Sequence, residues 1–156
     1  MYRHILIATD GSEVAQNGVD HGLQLAHSLG ARVTLLTVTE PYPAYIGGEF
    51  GALPAEAFLA SYDKDQTDIA TALLASARKT ADTYGVAVET LHVPETPAAE
   101  AIVQTAQDRG CDLIVMGSHG RRGIGRLVLG SKTWEVATHS PIPVLVVRHA
   151  SPKSAG

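Results

Sequence analysis

The sequence predicts an α/β fold: a three-layer sandwich built on a five-stranded, parallel, doubly wound sheet. Three observations predict it. Short apolar runs alternate with stretches of helical periodicity along the whole chain. Most of those runs are continuously apolar, as strands covered on both faces are. Strands joined through helices require right-handed crossovers, which place helices on both sides of the sheet. The length of 156 residues suits one domain, 1–156, with one sizeable core.

The elements follow in order. "HILIA" (His4 to Ala8) is a short buried strand, and "TDGS" after it is a turn with helix-capping residues. From Ser12 to Leu29, Ala15, Val19, Gly22, Leu23 and Ala26 recur at helical spacing, and Gly30 is a stop. "RVTLLTV" (Arg32 to Val38) is the second strand. Glu40 to Pro54, with its prolines, glycines and aromatics, reads as a long loop. A second helix is expected from near Ala55 to Tyr84, with Ile69, Leu73, Ala77, Ala81 and Tyr84 on its buried stripe. "VAVETLHV" (Val86 to Val93) alternates like an edge strand. Thr96 is expected to cap a third helix, with Pro97 in its first position, ending near Asp108. "DLIVMG" (Asp112 to Gly117) is a fourth strand, Ser131 to His139 a short helix and "VLVV" (Val144 to Val147) the last strand.

Composition excludes several classes. Hydrophobic residues make up 45% and charged residues 18%, which is globular rather than disordered. A net charge of −4 argues against a nucleic-acid binder. No apolar run is long enough for a bilayer, and the N-terminus does not read as a signal peptide. Cys111 is the only cysteine, so the cytoplasm is the default compartment, and its apolar neighbours mark it as a core thiol. The histidines show no metal-ligand spacing, and no G-x-S-x-G elbow is present.

In an open α/β sheet a ligand sits beyond the carboxyl ends of the strands, where strand order reverses. Two strand exits are rich in small and polar residues: "ATDGS" after the first strand and "GSHGRRG" after the fourth. The second opens "GSHGRRGIGRLVLGSKT", which holds four of the twelve Lys and Arg residues (Arg121, Arg122, Arg126 and Lys132) and no carboxylate. Such focused positive charge suits a polyphosphate. Gly117 and Gly120 allow close backbone approach to a ligand. Gly130 and Ser131 precede a helix whose free N–H groups favour phosphate. On this reading a valine at Gly117 or Gly130 fills phosphate space and leaves the fold intact. "GRLVLGSKT" nearly spells a Walker loop, but Ser131 displaces Lys132 and the preceding strand lies too far upstream.

The spacing Gly117-x2-Gly120-x9-Gly130-Ser131 resembles the G-2x-G-9x-G-(S/T) signature of universal stress proteins of the ATP-binding type. "DGS" after the first strand, "GSHGRRG" and the closing "PVLVVR" are also similar to that family, and the resemblance runs from His4 to Arg148. It implies strand order 3-2-1-4-5, in an adenine nucleotide alpha hydrolase-like, Rossmann-like fold. It implies ATP bound with adenine and ribose near Ala8, Thr9, Asp10 and Val38, and with Met116 and Gly117 on the ribose side. The phosphates would be surrounded by His119, Gly120, Gly130, Ser131 and Lys132, with Thr133 nearby. Asp10 would meet the ribose or a phosphate-bound Mg²⁺. A homodimer through Val144 to Val147 is also implied. Lys132 departs from the family pattern, where this position is usually small or apolar.

Several residues have a plainer reading beside the functional one. Asp10 could be only a helix cap, His119 a surface histidine, the arginines solvated loop charges and Ser118 a turn residue. Trp134 reads as packing or a dimer contact. The reading is of an ATP-binding stress-response module with slow hydrolysis or none, since Asp10 alone could orient a water. A nucleotide hydrolase or adenylating enzyme is a second reading, and a dimeric scaffold with a vestigial pocket a third.

Overall fold

The computed structural model describes residues 1–42, 56–118 and 129–148. Strand β1 (His4–Ala8) leads to helix α1 (Glu13–Leu29), β2 (Arg32–Val38), α2 (Glu56–Tyr84), β3 (Val88–Val93), α3 (Ala98–Asp108), β4 (Leu113–Ser118), α4 (Ser131–His139) and β5 (Val144–Arg148). The sheet order is β3-β2-β1-β4-β5 and every pairing is parallel. The two central strands, β1 and β4, pair through Ile5 with Leu113, Leu6 with Ile114 and Ile7 with Val115.

Alternation along these strands sorts the side chains into two cores. On one face Ile5, Ile7, Val33, Leu35, Leu113 and Val115 meet α1 and α2. On the other, Leu6, Leu36, Ile114 and Met116 meet α3 and α4. Because both faces are covered, the central strands carry no polar alternation, which is why they read as continuous apolar runs. Cys111 is buried in the second core, and burial pushes its thiol up to about 11. It is a core thiol, as its neighbours in the sequence suggest.

Helix α1 is delimited as expected. Ser12 accepts a hydrogen bond from the N–H of Ala15 at 3.1 Å, and Gly30 ends the helix at φ 63°, a left-handed conformation suited to glycine. The N-cap is therefore Ser12 and not Asp10. Two other local expectations are corrected. Thr96 does not cap α3: its hydroxyl donates to the carbonyl of Pro94, and the N-cap is Pro97, with no side-chain cap bond. Helix α2 buries Ala70, Leu74, Ala77 and Ala81, whereas Ile69 is 61% exposed and Leu73 only partly covered. A constant step of four residues drifts about 40° per step around a helix, whereas alternating steps of four and three stay on one face. Ala81, Ala77, Leu74 and Ala70 follow the alternating path.

Helix α1 lies unusually close to the sheet. A Cβ on Gly18 would stand 2.8 Å from the backbone nitrogen of Gly117, and one on Gly22 would stand 2.6 Å from the Ile7 side chain. From the other side, a Cβ on Gly117 would fall onto the carbonyl oxygen of Val14 and the Cα of Ala15. Gly117 therefore has no side chain because α1 occupies that space, not because a ligand does. The expectation that a valine there leaves the fold intact is overturned.

At the amino ends of the strands, buried His4 pairs its Nε2 with the Thr34 hydroxyl at 2.8 Å, while its Nδ1 has no partner. Burial, and after it the Arg32 charge, hold the imidazole below its usual range.

Two predictions follow from this packing. Gly117→Val and Gly18→Val are expected to destabilise the fold by about 1–3 kcal/mol or more, because the obstructing atoms are backbone; thermal denaturation checks this through a lowered Tm. The second concerns pH. Since folded His4 takes up a proton less readily than unfolded His4, its contribution to stability is complete above about pH 6.5 and declines as pH falls below that. Half-buried His92, also lowered by burial, acts in the same direction. Denaturant titrations between pH 7.5 and 5.5 should therefore show a shallower loss in His4→Gln than in the wild type, and equal slopes would remove His4 as the cause.

Candidate functional site

The central crevice lies at the carboxyl ends of β1 and β4, where chain order along the sheet reverses. The turn after β1 is fixed by several bonds. The Thr9 N–H donates to the Leu36 carbonyl at 2.9 Å, and the Thr37 hydroxyl donates to the Thr9 carbonyl. The Gly11 N–H donates to the Thr9 hydroxyl at 3.2 Å, and the Ser12 N–H donates to Asp10 Oδ1 at 2.9 Å. These bonds hold the turn against β2 and leave Asp10 exposed at the crevice.

The far wall is the first turn of α4. Gly130 is its N-cap, no side chain caps it and no acidic residue lies in its first turn. The opening N–H groups of a helix have no carbonyl partner within it and favour an anion. The hydroxyl of Thr133, itself buried, donates to the Gly117 carbonyl at 3.3 Å and so joins α4 to the end of β4.

Between these walls is a cavity of about 300 Å³. Ten of the twelve residues expected from the sequence line it: Ala8, Thr9, Asp10, Val38, Met116, Gly117, Gly130, Ser131, Lys132 and Thr133. The other two, His119 and Gly120, lie outside the described residues, as do Arg121, Arg122 and Arg126. Sequence reasoning missed Ala15, Leu36, Ala98 and Ile102, which also line the cavity. Ala98 and Ile102 are one turn apart at the start of α3, a signal that the helical spacing of "AAEAI" does carry. The cavity lining thus combines two kinds of chemistry. Leu36, Val38, Ala98, Ile102 and Met116 make an apolar slot, while Asp10, Ser131, Thr133 and the α4 N-terminus supply polar groups.

Lys132 lines the cavity, yet its ammonium pairs with Glu40 Oε1 at 2.9 Å. The same oxygen accepts from the Ala98 N–H at 3.4 Å. The bond from Lys132, followed by that from Ala98, holds the Glu40 carboxyl below its usual range against the opposing effect of burial. Ser118, read as a turn residue, is the buried last residue of β4, paired with Arg148. Trp134 is 62% exposed on α4 and belongs to neither core cluster among the described residues. Among the described residues no three His, Cys, Asp or Glu side chains gather as a metal group, and no helix is long and apolar enough to cross a membrane.

Comparison with known proteins gives a consistent answer. The model of the Universal stress protein family matches residues 1–148. Universal stress protein MJ0531 of Methanocaldococcus jannaschii is 33% identical over 148 residues, covering 95% of this chain and 83% of its own. The solved structure of MJ0577 from the same organism superposes with a TM-score of 0.78 at 32% identity, over 97% of this chain and 99% of that one. A universal stress protein crystallised in complex with cAMP superposes with a TM-score of 0.69 at 25% identity, over 96% of this chain and 98% of that one. The chain belongs to the universal stress protein family.

Proposed function

We propose that the cavity between β1 and β4 binds an adenine nucleotide, ATP in the first instance, and that the chain is a nucleotide-dependent stress-response module. The observation that carries this reading is that apolar side chains and an uncapped helix N-terminus line one cavity. The slot of Leu36, Val38, Ala98, Ile102 and Met116 suits a purine, and the α4 end suits its phosphates. The complex of a relative with cAMP supports the ligand class.

Within this reading Asp10 accepts hydrogen bonds from the ribose, and Gly130, Ser131, Thr133 and Lys132 attend the phosphates, together with His119 and Gly120. A Mg²⁺ ion is commonly held by one or two carboxylates with substrate phosphates. Asp10 is the one carboxylate among the described residues lining the cavity, so any Mg²⁺ would arrive on the phosphates rather than in a protein cage. Fast hydrolysis needs a group to orient water in addition to charge stabilisation. With Asp10 engaged by ribose, the described lining supplies no second carboxylate for that task, and turnover is slow or absent. The unpaired side of β5, half-exposed from Val144 to Val147, is the edge through which two copies would pair in the cytoplasm.

Denaturing the purified protein and analysing the supernatant for released nucleotide tests the reading most directly; adenine nucleotide is expected, and a protein that releases none and shows no calorimetric binding of ATP or AMP overturns it. Gly130→Val should weaken ATP binding at least about tenfold, equivalent to about 1.4 kcal/mol, in a variant that still unfolds cooperatively. Asp10→Asn should cost about 10- to 100-fold in ATP affinity, the worth of a hydrogen bond to a charged group, and the same factor with Mg²⁺ or EDTA. A loss seen only with Mg²⁺ would instead make Asp10 a metal ligand.

A further inference from the structure

Lys132 stands in the first turn of α4, where the helix dipole disfavours a cation. Its ammonium turns towards Glu40, two residues beyond the end of β2. The two residues are remote in sequence and meet only because β2, α3 and α4 converge here. Glu40 also fills a gap in α3. The Pro97 N-cap offers no side-chain acceptor, and Glu40 Oε1 takes the N–H of Ala98 in its place. One carboxylate oxygen therefore serves the N-terminus of α3 and the ammonium carried by the first turn of α4. That is the environment a ligand phosphate would seek. Lys132, Ala98 and Val38 line the cavity, whereas Glu40 lines the neighbouring recess with Tyr62, Asp63 and Glu95. The ion pair thus joins the α4 wall of the cavity to the β2–α3 wall.

We propose that Glu40 is a built-in competitor for the ligand's outer phosphates: it holds Lys132 in a latch between the two cavity walls, and a di- or triphosphate chain opens the latch by replacing the carboxylate on the ammonium. The inference rests on the nucleotide-binding reading above and deepens it. Both partners are about half-exposed, with side-chain exposures of 55% for Lys132 and 46% for Glu40. Pairs of this kind are weak, so a phosphate carrying more charge displaces the carboxylate. A ligand with one phosphate is held by the α4 N–H groups and leaves the latch closed. A longer chain exchanges partners and frees Glu40, which changes how α3 and α4 are tied together. The site would then distinguish phosphate-chain length through a contact that the apolar slot does not touch.

The test is calorimetry of the full chain with ATP, AMP and inorganic tripolyphosphate. Glu40→Gln should raise affinity for ATP and tripolyphosphate about two- to fivefold, the range of a half-exposed ion pair, and leave AMP nearly unchanged. Asp63→Asn, which removes a charge from the same recess without touching Lys132, should change none of the three. In a Lys132→Met background the gain from Glu40→Gln should vanish. Equal gains for AMP and ATP, a similar gain from Asp63→Asn, or a gain that survives Lys132→Met would each overturn the latch. Wild-type binding of AMP and ATP with no gain from Glu40→Gln removes the latch and leaves the nucleotide site standing. Tripolyphosphate gains without nucleotide binding would keep the latch and remove the adenine reading, and binding of none of the three would remove both.

Discussion

The structure depends on one close contact, the approach of α1 to the end of β4. Gly18 lies against the backbone of Gly117, and Gly117 lies against the backbone of Val14. No side chain intervenes, so the helix sits deeper on the sheet than Leu- or Val-mediated packing would allow. Gly22 extends the contact over Ile7 and Val115, on the two central strands. The helix begins at the turn that leaves β1. Setting it down on β4 therefore fixes the β1 turn beside the β4 exit. The crevice is a consequence of helix packing, set where α1 and β4 meet backbone to backbone.

The site combines two physical effects that act at different ranges. The apolar slot acts by contact and burial, and shape decides what enters it. The α4 N-terminus acts through oriented dipoles, stronger where water is excluded. Neither alone would select a nucleotide. An apolar slot takes many flat molecules, and a helix N-terminus takes many anions. Their presence in one cavity, with the Thr133–Gly117 bond fixing α4 to β4, is what the proposed selectivity rests on.

Much of this was legible in the sequence. Buried central strands announce themselves as continuous apolar runs, and Gly30 and Gly130-Ser131 mark helix limits by local chemistry alone. The carboxyl-end rule then placed the site at Ala8 to Asp10 and at Gly117, since both exits are small and polar. What stayed hidden was whatever depends on a partner remote in the chain. Gly117 looked like room left for a ligand because its sequence neighbours are polar and basic; Val14, which fills that room, is about a hundred residues upstream. The α2 stripe was misplaced because hydrophobicity favours Ile69 over Ala70, while the close approach of the helix favours the small residue. Thr96-Pro97 spells a cap, but the group that meets Ala98 is Glu40. Lys132 was visible as a departure from the family pattern, and its partner was not.

The burial of Cys111 decides whether this chain can meet oxidants through a cysteine. A thiol senses peroxide or disulfide chemistry through its thiolate, and reaction needs exposure. Cys111 is buried under α3 and held to about 11, so at physiological pH it is protonated and out of reach of oxidants. The chain has no other cysteine. Cysteine oxidation is therefore not a route by which redox state acts on this chain.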